Sequence, residues 1–174
     1  RELAHQQIVW SADEESIPGL RRLAGSSSQP QARVQALVAL SELGRLAKRD
    51  VVKALSDGHQ AVRQHAISLS EPLLADEPKW IEHLAKLVAD PDPFVRQQLA
   101  YSLGQAAQPK AGEALGKLLL RDASDPYLAA AILSSALPHL ATIQETARGS
   151  ATLSGAMAKQ IQQIVARIDA KPKT

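Results

Sequence analysis

The sequence predicts an all-α, right-handed solenoid of stacked helix–turn–helix repeats, and three observations carry that prediction. Ala and Leu dominate while aromatics make up only 3% of the 174 residues, so the β-branched and aromatic alternation of strands is scarce. Apolar residues recur at three- and four-residue spacing along most of the chain. The chain also resembles itself at intervals of roughly 30 residues, the signature of a repeat built from one supersecondary unit.

An arginine column sets the register. Ala32-Arg33-Val34-Gln35-Ala36-Leu37, Val62-Arg63-Gln64-His65-Ala66-Ile67 and Val95-Arg96-Gln97-Gln98-Leu99-Ala100 align on Arg33, Arg63 and Arg96. One further step reaches Ala129, where the apolar pattern persists without the arginine. One step back reaches Arg1, so Arg1-Glu2-Leu3-Ala4 is expected to close a unit whose first half lies outside this sequence. A chain that opens on Arg1 inside an expected helix reads as a segment of a longer protein.

The elements follow in order. Each unit has an upstream helix, expected at Glu14–Ala24, Ala47–Ser56, Pro78–Ala89 and Pro109–Arg121. Apolar stripes such as Ile17/Leu20/Leu23 and Leu115/Leu118/Leu119 mark their buried faces. Turns separate the helices at Gly25-Ser26-Ser27-Ser28, Asp57-Gly58 and Asp90-Pro91-Asp92-Pro93, and Gly104 marks a helix end. Pro30, Pro93 and Pro126 occupy one column at the start of the second helices, where a missing N–H costs nothing. Asp92 and Asp125, one residue earlier, are N-cap candidates. From Pro138 the pattern loosens over His139–Arg148. Met157, Ile161, Ile164, Val165 and Ile168 then form one stripe. Residues 1–150 are thus expected to be the solenoid, and 151–174 a closing amphipathic helix and tail.

Composition excludes several classes. With 45% apolar and 22% charged residues, the chain can bury a core rather than remain disordered. It has no cysteine, so disulfides, thiolate zinc sites and thiol nucleophiles are absent from it. No apolar run reaches the roughly 20 residues a membrane-spanning helix needs. A net charge of +2 with five aromatic residues falls short of the basic groove and stacking platform of a nucleic-acid binder.

No catalytic, cofactor or metal site is read from the residues. The five histidines form no ligand pair at helical spacing, and Glu82-His83 reverses the His-Glu order of helical-repeat di-iron hydroxylases. No turn marks a strained nucleophile, and no glycine-rich phosphate loop occurs. Acidic clusters fall at expected helix starts, where they complement the helix dipole. Lys159, Arg167, Lys171 and Lys173 flank the end of the last expected helix, where cations are favourable for the same reason.

Two sets of columns remain. Arg33, Arg63 and Arg96 are read as a structural ladder, each pairing with an aspartate in an interhelical turn, such as Asp57 or Asp90, of its own or a neighbouring unit; the other reading is an anion- or partner-binding ladder. The second helices of a solenoid line its concave face. Gln35, His65, Gln98 and then Val38, Ser68, Tyr101 repeat there, which makes Gln35, His65, Ser68, Gln98 and Tyr101 the candidate partner-contact face. Tyr101 and Tyr127 are the contact aromatics, because tyrosine joins apolar area to a polar tip. Trp10 and Trp80 are expected to fill gaps between helices.

The phrase from Asp90-Pro91-Asp92-Pro93 through Val95-Arg96 to Leu103-Gly104 resembles the HEAT repeat family, over Arg1 to about Leu140. The order of the phrases at Arg33–Gly44, Val62–Pro72, Val95–Gly104 and Asp125–Ser135 is similar to the helical middle region of large exported haem-binding, membrane-bound-dehydrogenase-like proteins of planctomycetes. In those a β-propeller precedes the repeats and a c-type cytochrome module follows. That resemblance implies a periplasmic or otherwise exported spacer between redox domains. Neither a propeller nor Cys-x-x-Cys-His is present here, so no haem chemistry passes to any residue. The expected function is a non-catalytic, monomeric scaffold for protein–protein or interdomain docking. A nucleic-acid-binding helical-repeat protein and a helical-repeat enzyme such as a pigment lyase are the alternatives.

Overall fold

A computed structural model describes residues 14–147. The helix expected at 1–4, Trp10, and the closing helix and tail expected at 151–174 lie outside the described residues. Every regular element among the described residues is helical. The chain divides into two compact units between Glu77 and Pro78.

The first unit begins with a 3-10 turn, Glu14–Ser16, that leads into α1, Ile17–Ser26. Helices α2, Pro30–Glu42, α3, Lys48–Leu55, and α4, Gln60–Leu69, follow. They alternate as first and second helices of successive repeats: α1 packs on α2, α3 on α4, α1 beside α3 and α2 beside α4. Leu20 of α1 reaches a buried cluster with Ala36, Ala39 and Leu40 of α2, flanked by Ile17, Ala24, Leu43 and Leu46. Of the stripe expected from helical spacing, Leu20 is buried and Ile17 half-buried against this cluster, whereas Leu23 is 48% exposed.

Helix α2 ends where Gly44 adopts φ 65°, a left-handed conformation that a side chain disfavours. The Arg45 N–H donates to Leu40 O at 2.7 Å and the Gly44 N–H to Ser41 O at 2.9 Å, which satisfies two carbonyls of the last turn. A short helix, α5, Glu71–Asp76, has no counterpart among the expected elements. Ser70 separates it from α4, and Pro72 lies in its first turn, where the missing N–H is harmless.

The second unit opens with a helical segment that is α-type only at its centre. A 3-10 turn at Pro78–Trp80 precedes α6, Ile81–Ala85, and another follows at Lys86–Ala89. The last turn tightens, and the Asp90 N–H donates to Leu87 O at 3.0 Å. Trp80 is buried as expected, its ring 4.9 Å from that of His83. Helices α7, Pro93–Leu103, α8, Pro109–Asp122, and α9, Pro126–Ser134, continue the alternation. The core runs through Leu84, Leu99, Leu103, Leu115, Leu118, Leu119 and Ile132, all fully buried.

The stretch from Pro138, expected to be less regular, folds into a 3-10 turn, Leu137–His139, and helix α10, Leu140–Ala147. Helix α10 packs beside α8, in the place of a first helix of the next repeat. Two glycines make the approach possible. A Cβ on Gly112 would lie 2.8 Å from Thr142 Cβ, and one on Gly116 2.7 Å from Thr146 Cβ. Gly104 acts in the same way: the backbone there is ordinary helix, with φ −65°, but a Cβ would meet Ser135 Cβ at 2.7 Å. The architecture is an all-α helical-repeat fold of the α-solenoid class.

Candidate functional site

The arginine column is tied into the turns. In each copy one Nη1 donates to the carbonyl six residues earlier: Arg33 to Ser27 O at 2.6 Å, Arg63 to Asp57 O at 2.9 Å and Arg96 to Asp90 O at 2.8 Å. Arg33 also forms a two-pronged pair with Asp57, with Nε to Oδ2 at 2.8 Å and Nη2 to Oδ1 at 2.7 Å. Arg96 does the same with Asp122, both contacts at 2.8 Å. Such forks fix geometry as well as charge. The Asp57 carboxylate also accepts the His59 N–H at 2.8 Å.

Burial pushes the Asp57 carboxyl up, but the hydrogen bond and charge of Arg33 and the His59 N–H outweigh it and hold the group below 3.8. Asp122 holds the Arg96 proton more tightly than usual against the opposing effect of burial. The guanidinium stays cationic although its side chain is only 9% exposed.

Arg96 pairs with the acid of the following turn, as Arg33 does. Asp90 serves Arg96 through its main-chain carbonyl, while its carboxylate accepts the Asp92 N–H at 3.0 Å. The carboxylate that grips Arg96 belongs to Asp122. The aspartate column would place that residue at 123, which is Ala123. Helix α8 runs on to Asp122, and the turn that follows holds one residue more than the turn after Asp57 or Asp90, so the acid sits one position early.

The second helices carry a cleft at an equivalent place in each unit. In the first unit a cleft of about 260 Å³ is lined by Pro30, Gln31, Val34 and Gln35 of α2 with His59, Ala61 and His65. Gln35 and His65 are therefore brought together, both exposed. His59 caps α4, its Nδ1 accepting the Ala61 N–H at 3.2 Å. Ser68 is exposed farther along α4.

In the second unit a cleft of about 410 Å³ lies between α7 and α9, lined by Pro93, Phe94, Gln97, Asp125, Tyr127 and Leu128. The caps expected at Asp92 and Asp125 form: Asp92 Oδ1 accepts the Phe94 and Val95 N–H groups, and Asp125 Oδ1 those of Tyr127 and Leu128. Gln98 does not line this cleft. It is half-buried, and its Nε2 donates to Ser102 Oγ at 3.3 Å on its own helix. Its neighbour Gln97 takes the place in the wall. Tyr101 is exposed on α7 but lies outside the cleft.

Among the described residues the most exposed aromatics are Tyr127 at 78% and Phe94 at 62%. They occupy one column, the residue after the helix-initiating proline, which continues through Gln31 and Ala61. Sequence reasoning found Tyr127 but passed over Phe94. The proline column was the available signal, since it fixes the next residue in the first turn.

Among the described residues no group of three His, Asp or Glu side chains is placed to hold a metal ion. A family model described as HEAT repeats matches residues 49–136, from the start of α3 to just beyond α9. Comparison with curated proteins gives no match.

Proposed function

Since the chain belongs to the HEAT-repeat family, we propose that it is a non-catalytic scaffold that docks a protein or a neighbouring domain on its second helices. The observation that carries this reading is the column of Phe94 and Tyr127, two aromatics left in solvent at the mouth of one cleft. Large apolar side chains exposed together mark interaction sites. The competing use of the arginine column, as a ladder for phosphate, is disfavoured because Arg33 and Arg96 spend their guanidinium groups on Asp57, Asp122 and turn carbonyls.

Photo-cross-linking tests the docking face. Benzoylphenylalanine at Ser68, Phe94, Tyr101 and Tyr127 should capture protein in cells, whereas the same probe at Glu113 and Lys117 on α8 should not. Equal yields from both sets, or capture of nucleic acid, would overturn the reading.

We further propose that the scaffold is a segment of a larger exported dehydrogenase-like protein, where it spaces redox domains. The order of its repeat phrases supports this. The reading frame around the segment tests it: a β-propeller before and a Cys-x-x-Cys-His module after are expected. A frame holding neither, in a protein found in the cytoplasmic fraction, would sink it.

A further inference from the structure

We propose that the cleft between α7 and α9 binds a proline-rich peptide in polyproline II conformation that carries flanking arginine or lysine. This rests on the docking reading and names the class of partner. Three observations lead to it.

The first is geometric. Phe94 and Tyr127 hold the same position on neighbouring, packed helices. Such positions are separated by about the interaxial distance, roughly 8–10 Å. A polyproline II helix advances about 9 Å per three-residue turn. Prolines three residues apart would therefore each meet one ring.

The second is chemical. An aromatic-walled groove is the surface on which an extended proline helix docks, because that helix has little conformational entropy left to lose. Its main-chain carbonyls are all unpaired. The Gln97 amide in the cleft wall and the Tyr127 hydroxyl are donors suited to them.

The third is charge. Helix α7 carries one ionised side chain, Arg96, which is held by Asp122, and α9 carries none. Of the acids at this end of the two helices, Asp90 and Asp122 are buried, Asp122 against Arg96; Asp92 and Asp125 cap the helices, and Asp125 lines the cleft. Asp125 caps α9 through Oδ1 alone, and its Oδ2 accepts no hydrogen bond among the described residues. The cleft therefore favours a cationic flank over an anionic one. The corresponding cleft of the first unit has Gln31 and Ala61 in place of the two rings, so it lacks the platform and serves as an internal control.

The test is titration of the full chain, followed by calorimetry and by amide chemical shifts. The probes are decaproline with two terminal arginines, decaproline with two terminal glutamates, and an arginine-capped helical alanine peptide of equal length. The arginine-capped decaproline should bind and shift the amides of Phe94, Gln97 and Tyr127. Phe94→Ala or Tyr127→Ala should each weaken it about tenfold. Both side chains are exposed, so circular dichroism should stay unchanged. Asp125→Asn should lower the preference for the arginine cap by about threefold, and Gln31→Ala should change nothing.

The proposal is overturned if no saturable binding occurs, if the helical peptide binds as tightly, or if Tyr127→Ala leaves affinity intact. It is equally overturned if the chain dimerises through Tyr127. Protein cross-links at 94 and 127 without decaproline binding would discard the peptide and keep the docking face; absence of both would discard the two together.

Discussion

Arg33, Arg63 and Arg96 each reach back six residues to a turn carbonyl, and Arg33 and Arg96 also grip the carboxylate of the next turn, Asp57 and Asp122. One side chain thus ties its own turn to the neighbouring one. Removing one partner of a buried pair leaves the other charge uncompensated. Asp122→Asn is expected to destabilise the fold by about 3 kcal/mol, and Asp57→Asn by about 2 kcal/mol, both read from urea denaturation. The depressed carboxyl of Asp57 also makes stability depend on pH. Its contribution is complete above the unfolded value of about 3.9 and is lost as pH falls through the lower folded value. Urea midpoints should therefore drop more steeply below about pH 4 in the parent chain than in Asp57→Asn. Parallel curves would remove Asp57 from the account.

At the scale of the element, glycine decides how near helices come. Gly112 and Gly116 face α10, and an added Cβ would overlap the rigid Cβ of a threonine. Gly116→Ala should cost about 1–3 kcal/mol through overpacking. Gly19 lies within α1, and a methyl group added there would meet nothing within 4 Å. Gly19→Ala should therefore gain about 0.5–1 kcal/mol by lowering the entropy of the unfolded chain. Opposite signs for the two changes in thermal melts would support this account of α8 and α10. The caps follow a similar logic: Asp92→Ala and Asp125→Ala each leave two N–H groups without their acceptor, at about 1 kcal/mol apiece.

In each of the two units, cohesion comes from helix pairs packing on their neighbours, so a lesion is felt first where it is made. Asp122→Asn should speed amide exchange in α7–α9 more than in α1–α4, and Asp57→Asn should do the reverse. A uniform change across both units would show that the chain opens only as one body. Fully buried leucines at the centre of the second unit, such as Leu99 and Leu118, should exchange last. Replacing either with alanine should cost about 2–5 kcal/mol.

The repeat, its register and the first and second helices of each unit were legible in the residue pattern, whereas α5 and α10 were not. The former are written in local periodicity, in prolines at helix starts and in aspartates at caps, and each acts within a few residues of its own position. The arginine column was legible for the same reason, since its carbonyl partner lies only six residues away. Tertiary structure decided the rest. Whether position 122 or 123 supplies the acid for Arg96 depends on how far α8 extends before its turn, and no column records a one-residue displacement. Gln97 lines the cleft while Gln98 turns to Ser102 on its own helix, a choice that adjacent positions on one helix leave to the packing partner. The place of α10 was hidden because its cause lies on another helix: two glycines of α8 whose missing side chains admit Thr142 and Thr146. Local chemistry chooses the elements, but close packing chooses which side chains are left for a partner.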